Sequence, residues 1–376
     1  MEYVKLTDIC QPKQWKTIPI SKLSNEGYPV YGANGLIGCH SEYTHEYETI
    51  MIGCRGSCGT VSLSQPFSYI NGNAMALDNL DEDIVRKKYL YYFLKYRGFN
   101  DVISGSSQPQ ITKTSLEKVE IPIFSISYQE EIINTLDKMQ ELISLKNFTI
   151  DKIETLKKSL FIKYFGDLQK NPFSWKIFKL DDLAEVVSGV TKGKKNNKPT
   201  IELPYMRVAN VQDGYLNLSE VKTIEVTESD AEKYQLKDGD VLLTEGGDPD
   251  KLGRGTVWRE EVPNCIHQNH IFRVRTDQKI LNPEYLSKCV GSFYGKTYFL
   301  KSAKQTTGIA TINSTQLKGF PVPIPPIELQ NKFARIIEEI NKRNDKMHES
   351  LMKLNENYNA LLQRVFTGEL IKQKVR

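Results

Sequence analysis

Two stretches of the sequence that repeat each other decide the fold: VEIPIFSISYQEEI at residues 119–132 and FPVPIPPIELQNKF at residues 320–333. They align at an offset of 201 residues, which places Pro122 on Pro323. Each combines a strand-like run that contains proline with the first residues of an apolar helical pattern. Repetition at this scale predicts two copies of one structural plan.

The repeat extends upstream of these stretches. SQPQITKTSL (107–116) aligns with IATINSTQL (309–317) in the same register. Near the start of each copy, VKLTDI (4–9) resembles FKLDDL (178–183) at an offset of 174. Because the offsets of 201 and 174 differ by 27, the globular part of the second copy is 27 residues longer. Each copy is predicted to contain a globular domain, a proline-marked junction and a long helix.

The apolar residues after each junction recur at alternating steps of 4 and 3, which is the heptad pattern of a coiled coil. In the first helix this seam consists of Ile132, Leu136, Met139, Ile143, Ile150, Ile153, Leu160 and Tyr164, with Lys146 and Lys157 in the remaining places. In the second helix it consists of Phe333, Ile337, Ile340, Asn344, Met347, Leu351, Leu354, Tyr358, Leu361 and Val365. Each helix is about 40 residues and hence roughly 60 Å long. Antiparallel pairing would bury both seams and place the globular domains at opposite ends of a rod. The alternative is that each helix packs on its own domain.

Local signals mark the helix ends. Ser127-x-x-Glu130 predicts a capping box, and Pro325-Pro326 suits the first turn of the second helix. Gly166 and Gly368 stand where glycine commonly ends a helix.

The predicted fold class is α+β, with two mixed α/β globular domains joined by two long helices that form an antiparallel coiled coil in a pseudo-two-fold repeat. The predicted segments are residues 1–123, 124–168, 169–325 and 326–376, in the order domain, helix, domain, helix. Strands are predicted at 49–53, 59–64, 240–244 and 270–276, short helices at 85–96 and 283–300, and glycine-rich exposed loops at 53–59 and 245–255.

Composition narrows the function only slightly. The 376 residues carry a formal net charge of +4, which is too small to demand a nucleic-acid partner. No apolar run approaches 18 residues and no signal peptide precedes the first domain, so we expect a cytoplasmic protein without a membrane span. Six cysteines without a CxxC pair predict reduced thiols.

Familiar catalytic motifs are absent from the sequence. It has no GxxxxGK[ST] phosphate loop, no GxSxG and no HExxH. His267 and His270 lack companions at zinc-ligand spacing, and Asp248 and Asp250 resemble a nuclease cluster only faintly because no second acid accompanies them on an adjoining strand. These observations favour a binding protein with no catalytic residues, metal or cofactor of its own.

Two similar binding domains held apart by a rigid spacer suit a target with two separate parts. Double-stranded DNA offers such a target, because the distance between two sites along the duplex is fixed. Guanine is read by Arg or Lys, and adenine by Asn or Gln. The candidate base-contacting residues lie in predicted loops: Arg55, Ser57, Gln108, Gln110, Thr112 and Lys113 in the first domain, and Arg207, Asn210, Arg254, His267, Gln268, Asn269, Lys304 and Gln305 in the second. Each also fits the simpler interpretation of an ordinary polar surface residue.

The whole pattern resembles the specificity subunits of type I restriction-modification systems. The resemblance is carried by the repeated plan, the KL-x-D-[IL] openings, SGSSQPQITKTSLEKVEIPI (104–123), KQTTGIATINSTQLKGFPVPIPPIELQ (304–330) and LLQRVFTGEL (361–370). It implies two target recognition domains, each of which reads one half of a bipartite, asymmetric DNA sequence, with the helices as a ruler for the spacer.

The resemblance also implies the partners. The outer faces of the helices would dock two copies of an adenine methyltransferase subunit, and restriction subunits would join through them. S-adenosylmethionine, ATP and Mg would be bound by those subunits. Because the first domain is 27 residues shorter, its loops are expected to be trimmed. The low net charge predicts that this chain alone binds DNA weakly.

Three other hypotheses remain open on the sequence. The chain could serve a related restriction enzyme whose methylase and nuclease are fused. It could be a coiled-coil adaptor whose globular ends bind proteins or glycans. Finally, Asp248 and Asp250 could belong to a cryptic nuclease.

Overall fold

The computed structural model describes residues 2–105, 107–191, 199–247, 252–306 and 309–369, without the side chains of residues 305, 306 and 309. The chain forms two compact units. Unit 1 contains Met1–Phe148 and His348–Arg376, and unit 2 contains Thr149–Met347. The four-segment division drawn from the sequence stays a prediction.

The elements of unit 1 form two sheets and a ribbon. In chain order they are β1 (Glu2–Lys5), α1 (Leu6–Ile9), β2 (Gln11–Gln14), β3 (Tyr28–Gly32), β4 (Gly35–His40), β5 (Ile50–Gly53), β6 (Val61–Leu63), β7 (Tyr69–Ile70), β8 (Ala74–Asp78), α2 (Lys87–Arg97), α3 (Lys113–Leu116), β9 (Glu120–Ile123) and the first part of α4 (Ile126–Phe165). The strand orders are β2-β8-β5-β6, β4-β3-β7 and β1-β9.

The elements of unit 2 repeat this arrangement with additions. They are β10 (Lys176–Lys179), β11 (Ala184–Ser188), β12 (Thr200–Met206), β13 (Lys222–Thr227), α5 (Glu228–Tyr234), β14 (Val241–Thr244), β15 (Gly246–Gly247), β16 (Gly255–Val257), β17 (Ile266–His267), β18 (Ile271–Thr276), α6 (Pro283–Gly291), α7 (Phe293–Ser302), β19 (Lys304–Thr306), β20 (Ile309–Thr311), α8 (Ser314–Lys318), β21 (Pro321–Ile324) and α9 (Ile327–Phe366), whose last part belongs to unit 1. The strand orders are β11-β18-β14-β16, β13-β12-β17, β10-β21 and β15-β20-β19.

The two units share one topology. In both, a four-stranded antiparallel sheet accompanies a three-stranded sheet whose central strand has one antiparallel and one parallel neighbour. A two-stranded ribbon then joins the start of each domain to its junction: Tyr3 pairs with Pro122, and Ile177 pairs with Pro323. The predicted fold class and internal repeat are therefore confirmed.

Each junction is anchored by a buried glutamine at the start of a long helix. The Gln129 side chain accepts a hydrogen bond from the Arg86 amide (2.8 Å) and donates to the carbonyls of Ile84 (3.0 Å) and Phe124 (2.9 Å). Because buried backbone groups need partners, this side chain ties the strand–helix corner to the segment before α2.

Gln330 has the same role in unit 2. It accepts from the Asn282 amide (2.9 Å) and donates to the carbonyls of Ile280 (3.0 Å) and Pro325 (2.7 Å). Both glutamines are 0% exposed. The repeated sequence thus encodes a repeated set of hydrogen bonds.

The long helices pair antiparallel within each unit. In unit 2, Phe165 near the end of α4 contacts Phe333 near the start of α9, with 5.0 Å between ring centroids. Farther from this end, Asn344 Nδ2 lies 3.4 Å from Glu154 Oε1. In unit 1, Ile132 and Leu136 share a core cluster with the closing residues of α9. All the seam positions in both helices are buried or half-buried.

Polar seam residues concentrate at one place in unit 2. Lys157, whose side chain is 8% exposed, donates to Glu154 (2.7 Å). Asn344 is 8% exposed and donates to the same carboxylate, while its Oδ1 is buried without a partner among the described residues. Such a cluster lowers the stability of the helix pair below that of an apolar seam.

Two of the helix predictions are wrong. Helix α4 begins at Ile126, and the amides of Tyr128 and Gln129 donate to the carbonyl of Ser125, so the helix start precedes the predicted capping box at Ser127. The helix predicted over 283–300 is split into α6 and α7 at Ser292, whose backbone is extended and whose side chain caps α7. Gly166 and Gly368 do follow the helix ends, with φ of 72° and 77°.

Candidate nucleic-acid interface

Three segments of unit 1 converge beside the end of β5. The loop of residues 54–60 lies against residues 107–111, because the Ile111 amide donates to the Cys54 carbonyl (3.0 Å) and Arg55 forms an isolated bridge with Gln110. The β3–β4 turn joins them, since the Thr60 hydroxyl bonds to the carbonyl of Ala33. We call this surface the three-loop face.

Most first-domain candidates lie on the three-loop face. Arg55, Gln108 and Gln110 are exposed, and Ser57 is half-buried. Thr112 caps α3 through a reciprocal hydrogen-bond pair with Ser115, which leaves the adjacent Lys113 exposed. The structure therefore brings these candidates together, although Thr112 has a structural role of its own.

The three-loop face is built from segments without acidic residues. Residues 28–38, 49–64 and 102–116 contain no aspartate and no glutamate, whereas the whole chain has 46 such residues. They do contain Arg55 and Lys113. A surface of this kind can approach phosphates without electrostatic repulsion from its own segments.

Unit 2 builds the equivalent place differently. Gly246 pairs with Thr311 where unit 1 pairs Arg55 with Gln110, and a third strand, β19, joins them. Lys304 is exposed on that strand. The side chain of Gln305 lies outside the described residues, as do Asp248 and Asp250.

Three second-domain candidates support the fold of unit 2. Asn210 is 2% exposed and donates to the carbonyls of Asn217 and Glu220 (both 2.9 Å). The guanidinium of Arg207 pairs with Glu220 (2.9 Å). The guanidinium of Arg254 donates hydrogen bonds to Gln212 Oε1 and to the Val208 carbonyl (both 3.2 Å). In this conformation they organise the β12–β13 connection rather than project from it.

His267 is also inside unit 2, with 0% exposure. Its Nδ1 lies 3.0 Å from the Ile271 carbonyl, which can only accept, so Nδ1 carries the proton. Nε2 is buried without a partner in the described ranges. Gln268 and Asn269 are half-buried, and the exposed His270 contacts Glu245. The His267 side chain therefore cannot reach a base in this conformation.

We expect the burial of His267 to make unfolding pH-dependent. Burial, reinforced by the positive charges of Arg273 and Arg275, lowers the pKa of His267 from 6.5 to about 4. Between pH 6.5 and about 4, the unfolded chain therefore binds a proton at His267 that the folded chain does not bind. The resulting stability is complete above pH 6.5 and is lost as the pH falls towards 4, by about 3 kcal/mol in all.

The measurement compares thermal unfolding at pH 7 and pH 5 for the native chain and His267→Asn, whose amide can replace the Nδ1 donor. The native chain should lose more stability between these pH values than the variant does. An identical loss in both chains would contradict the assignment.

Some exposed residues on or near the three-loop face were missed by sequence reasoning. Asn34 sits in the β3–β4 turn, and Leu36 (62% exposed) and Ile37 (42%) follow it on β4. The sequence does contain a signal for this turn. The run GANG at residues 32–35, between two strand-like segments, is typical of a tight hairpin.

Neither a metal cluster nor a membrane span is found in what the structure describes. Among those residues no group of three or more His, Cys, Asp and Glu side chains could hold a metal ion. No described helix is both long and apolar enough to cross a membrane.

Comparison with known proteins agrees with this architecture. The specificity subunit of the type I restriction enzyme EcoKI from Escherichia coli is 22% identical over 313 residues, which cover 78% of this chain and 67% of that one. The putative specificity subunit of the type I restriction enzyme MjaX from Methanocaldococcus jannaschii is 25% identical over 205 residues, which cover 54% of this chain and 48% of that one. The chain thus matches about half of the MjaX subunit.

Solved structures share the fold. The S subunit of a type I restriction-modification system from M. genitalium superimposes with a TM-score of 0.63 at 17% identity, over 97% of this chain and 96% of that one. The profile of the family described as "Type I restriction modification DNA specificity domain" matches residues 1–155 and 172–356. With both copies of the repeat matched, the chain belongs to the family of type I restriction-modification DNA specificity proteins.

Proposed function

We propose that this chain is the non-catalytic subunit that gives a type I restriction-modification complex its DNA sequence specificity. Unit 1 and unit 2 would each supply one target recognition domain, and together they would read a bipartite, asymmetric sequence. The observation that carries the proposal is the duplication of one domain topology, together with its glutamine-anchored junction, in a chain whose family model matches both copies.

The paired helices are the proposed docking surface for two methyltransferase subunits, through which restriction subunits would join. Four large apolar side chains on the unit 1 portions of α4 and α9 support this: Leu142, Leu145, Phe148 and Met352 are 49–61% exposed. Exposed apolar groups of this size are typical of interaction surfaces when they occur together. S-adenosylmethionine, ATP and Mg are proposed to bind the partner subunits, and the complex to act on DNA in the cytoplasm.

Affinity for DNA is proposed to come largely from the assembled complex. Neutralisation of phosphates dominates protein–DNA affinity, and a net charge of +4 over 376 residues offers little of it. The isolated chain should bind DNA weakly and with little sequence preference. Tight, specific binding by the isolated chain would contradict this part of the proposal.

Two alternatives make different predictions. A specificity subunit for a fused methylase–nuclease would show the same DNA phenotype and would be distinguished by the size of the co-purified partner. A coiled-coil adaptor for proteins or glycans would show no DNA phenotype and would co-purify no methyltransferase.

Deletion of the gene tests the proposal. Methylated adenines would be mapped across the genome of the host with the gene, without it, and after complementation. The proposal predicts that deletion removes methylation at one interrupted two-part sequence and that complementation restores it. If the map is unchanged while an active methyltransferase co-purifies with the chain, the proposal fails.

A further inference from the structure

We propose that the turn of the β3–β4 hairpin of unit 1 reads DNA, in that Asn34 contacts a base and Thr60 positions the turn that carries it. This inference rests on the function proposed above and assigns part of one half-site to specific residues. In the major groove of B-DNA each base pair presents a distinct pattern of hydrogen-bond donors and acceptors, which a polar side chain can read.

Near its far end the hairpin buries β3 but exposes the start of β4. Leu36 and Ile37 are consecutive residues of β4, and they are 62% and 42% exposed. Since successive side chains of a strand point to opposite faces, β4 is open on both faces at this point. It is also an edge strand, because the order of its sheet is β4-β3-β7. The turn and the exposed edge of β4 are therefore the parts of the hairpin that can approach DNA.

Asn34 has the chemistry required at the tip of such a hairpin. Its side chain is exposed in a turn only two residues long, and it makes no hydrogen bond within the described part of the chain. A free carboxamide can donate and accept at once, which is the pattern that pairs with the edge of adenine. The apolar Leu36 nearby would suit a thymine methyl group.

The turn is fixed to the three-loop face rather than free. The Thr60 hydroxyl bonds to the Ala33 carbonyl and lies 2.9 Å from the Ser57 carbonyl. Gly53 permits this close approach, since a Cβ there would lie 2.9 Å from the Ala33 oxygen. Asn34 is therefore held beside the loop that carries Arg55, so that amide and guanidinium can act on neighbouring base pairs.

Unit 2 has no hairpin of this kind at the corresponding place. Its β12 and β13 are joined by residues 207–221, a long connection organised by Arg207 and Asn210. A change at Asn34 should therefore alter only the half-site read by unit 1.

The test complements the deleted gene with the native chain, Asn34→Ala, Thr60→Val, Thr60→Ser and Asn25→Ala, and maps methylated adenines in each strain. Asn25 is the matched control because it is exposed near the opposite end of the same hairpin. We expect Asn34→Ala to reduce discrimination at one half-site by about tenfold to a hundredfold, judged by methylation of one-base variants of the target. Thr60→Val should reduce discrimination at the same base positions, whereas Thr60→Ser should retain it. Asn25→Ala should leave discrimination unchanged.

The outcomes separate the inference from the function on which it rests. If the native chain restores no two-part sequence although an active methyltransferase co-purifies with it, the proposed function fails. If the native chain restores it and Asn34→Ala, with an unchanged melting temperature, gives the same discrimination, only the inference is overturned. A uniform loss of methylation at all targets would make Asn34 a phosphate contact and would also overturn base reading. If Thr60→Ser reduces discrimination as much as Thr60→Val does, the hydroxyl does not position the turn.

Discussion

Replacement of Leu136 by aspartate is expected to unfold unit 1. Leu136 is 0% exposed and lies in a core cluster with Leu362, Val365 and Phe366 from α9. A carboxylate there would be buried without a partner, in addition to the loss of the leucine side chain. The expected cost is about 4 kcal/mol or more, out of a total stability of about 5–15 kcal/mol for a typical domain.

Leu142→Asp is the matched control on the same helix. Leu142 is 49% exposed, so the same substitution should change the unfolding free energy by less than about 1 kcal/mol. It should nevertheless reduce co-purification of the methyltransferase, because it places a charge on the proposed docking surface. Thermal unfolding followed by circular dichroism, with a pull-down of the partner, measures both effects. Equal melting temperatures for the two variants would contradict the paired-helix account of unit 1.

The second large effect is expected at the junction glutamines. Gln129→Ala removes three hydrogen bonds and leaves an amide and two carbonyls of the backbone without partners in a buried corner. With about 1 kcal/mol or more lost at each buried group, we expect a destabilisation of roughly 3 kcal/mol. Gln330→Ala should have the same effect in unit 2, because its three hydrogen bonds are equivalent.

Gln363→Ala is the control for this pair, since Gln363 is exposed on α9 and its substitution should cost less than about 0.5 kcal/mol. Hydrogen exchange followed by mass spectrometry would localise each effect. Loss of protection should concentrate at residues 84–86 and 124–129 in the first variant and at 280–282 and 325–330 in the second. A destabilisation no larger than that of the control would show that the glutamines do not anchor the junctions.

The long helices and the repeat were predictable because their signals are local and periodic. A heptad seam needs only the spacing of apolar residues, and positions such as Ile337 and Leu136 satisfied it in both copies. Equivalence at the junction followed from the alignment of Pro122 with Pro323, in a register that also places Gln129 on Gln330. The structure adds the reason for that alignment, which is that Gln129 and Gln330 bond the same three backbone groups in each unit.

The candidate interface was less predictable because the polarity of a side chain does not show whether the fold exposes or buries that side chain. His267 and Asn210 have side chains that suit base reading, yet the long-range pairing of β12 with β17 and the closure of the 207–221 connection bury them. Asn34 was missed because its position beside the loop that carries Arg55 depends on the bond from Thr60 to Ala33, a contact between residues far apart in the chain. Helix ends depended on similar detail: Ser292 divides a continuous apolar pattern by capping α7.

The measurement that tests the central claim most directly is a domain exchange. Residues 180–320 would be replaced by the corresponding segment of a relative with a different target, and methylated adenines would then be mapped. The two cut points lie side by side, because Lys179 pairs with Pro321 in the β10–β21 ribbon, so both helices and the ribbon are retained. The account predicts that one half of the methylated sequence changes to that of the relative, while the other half and the spacer remain. A change in both halves, or in neither, would contradict the division of reading between two domains.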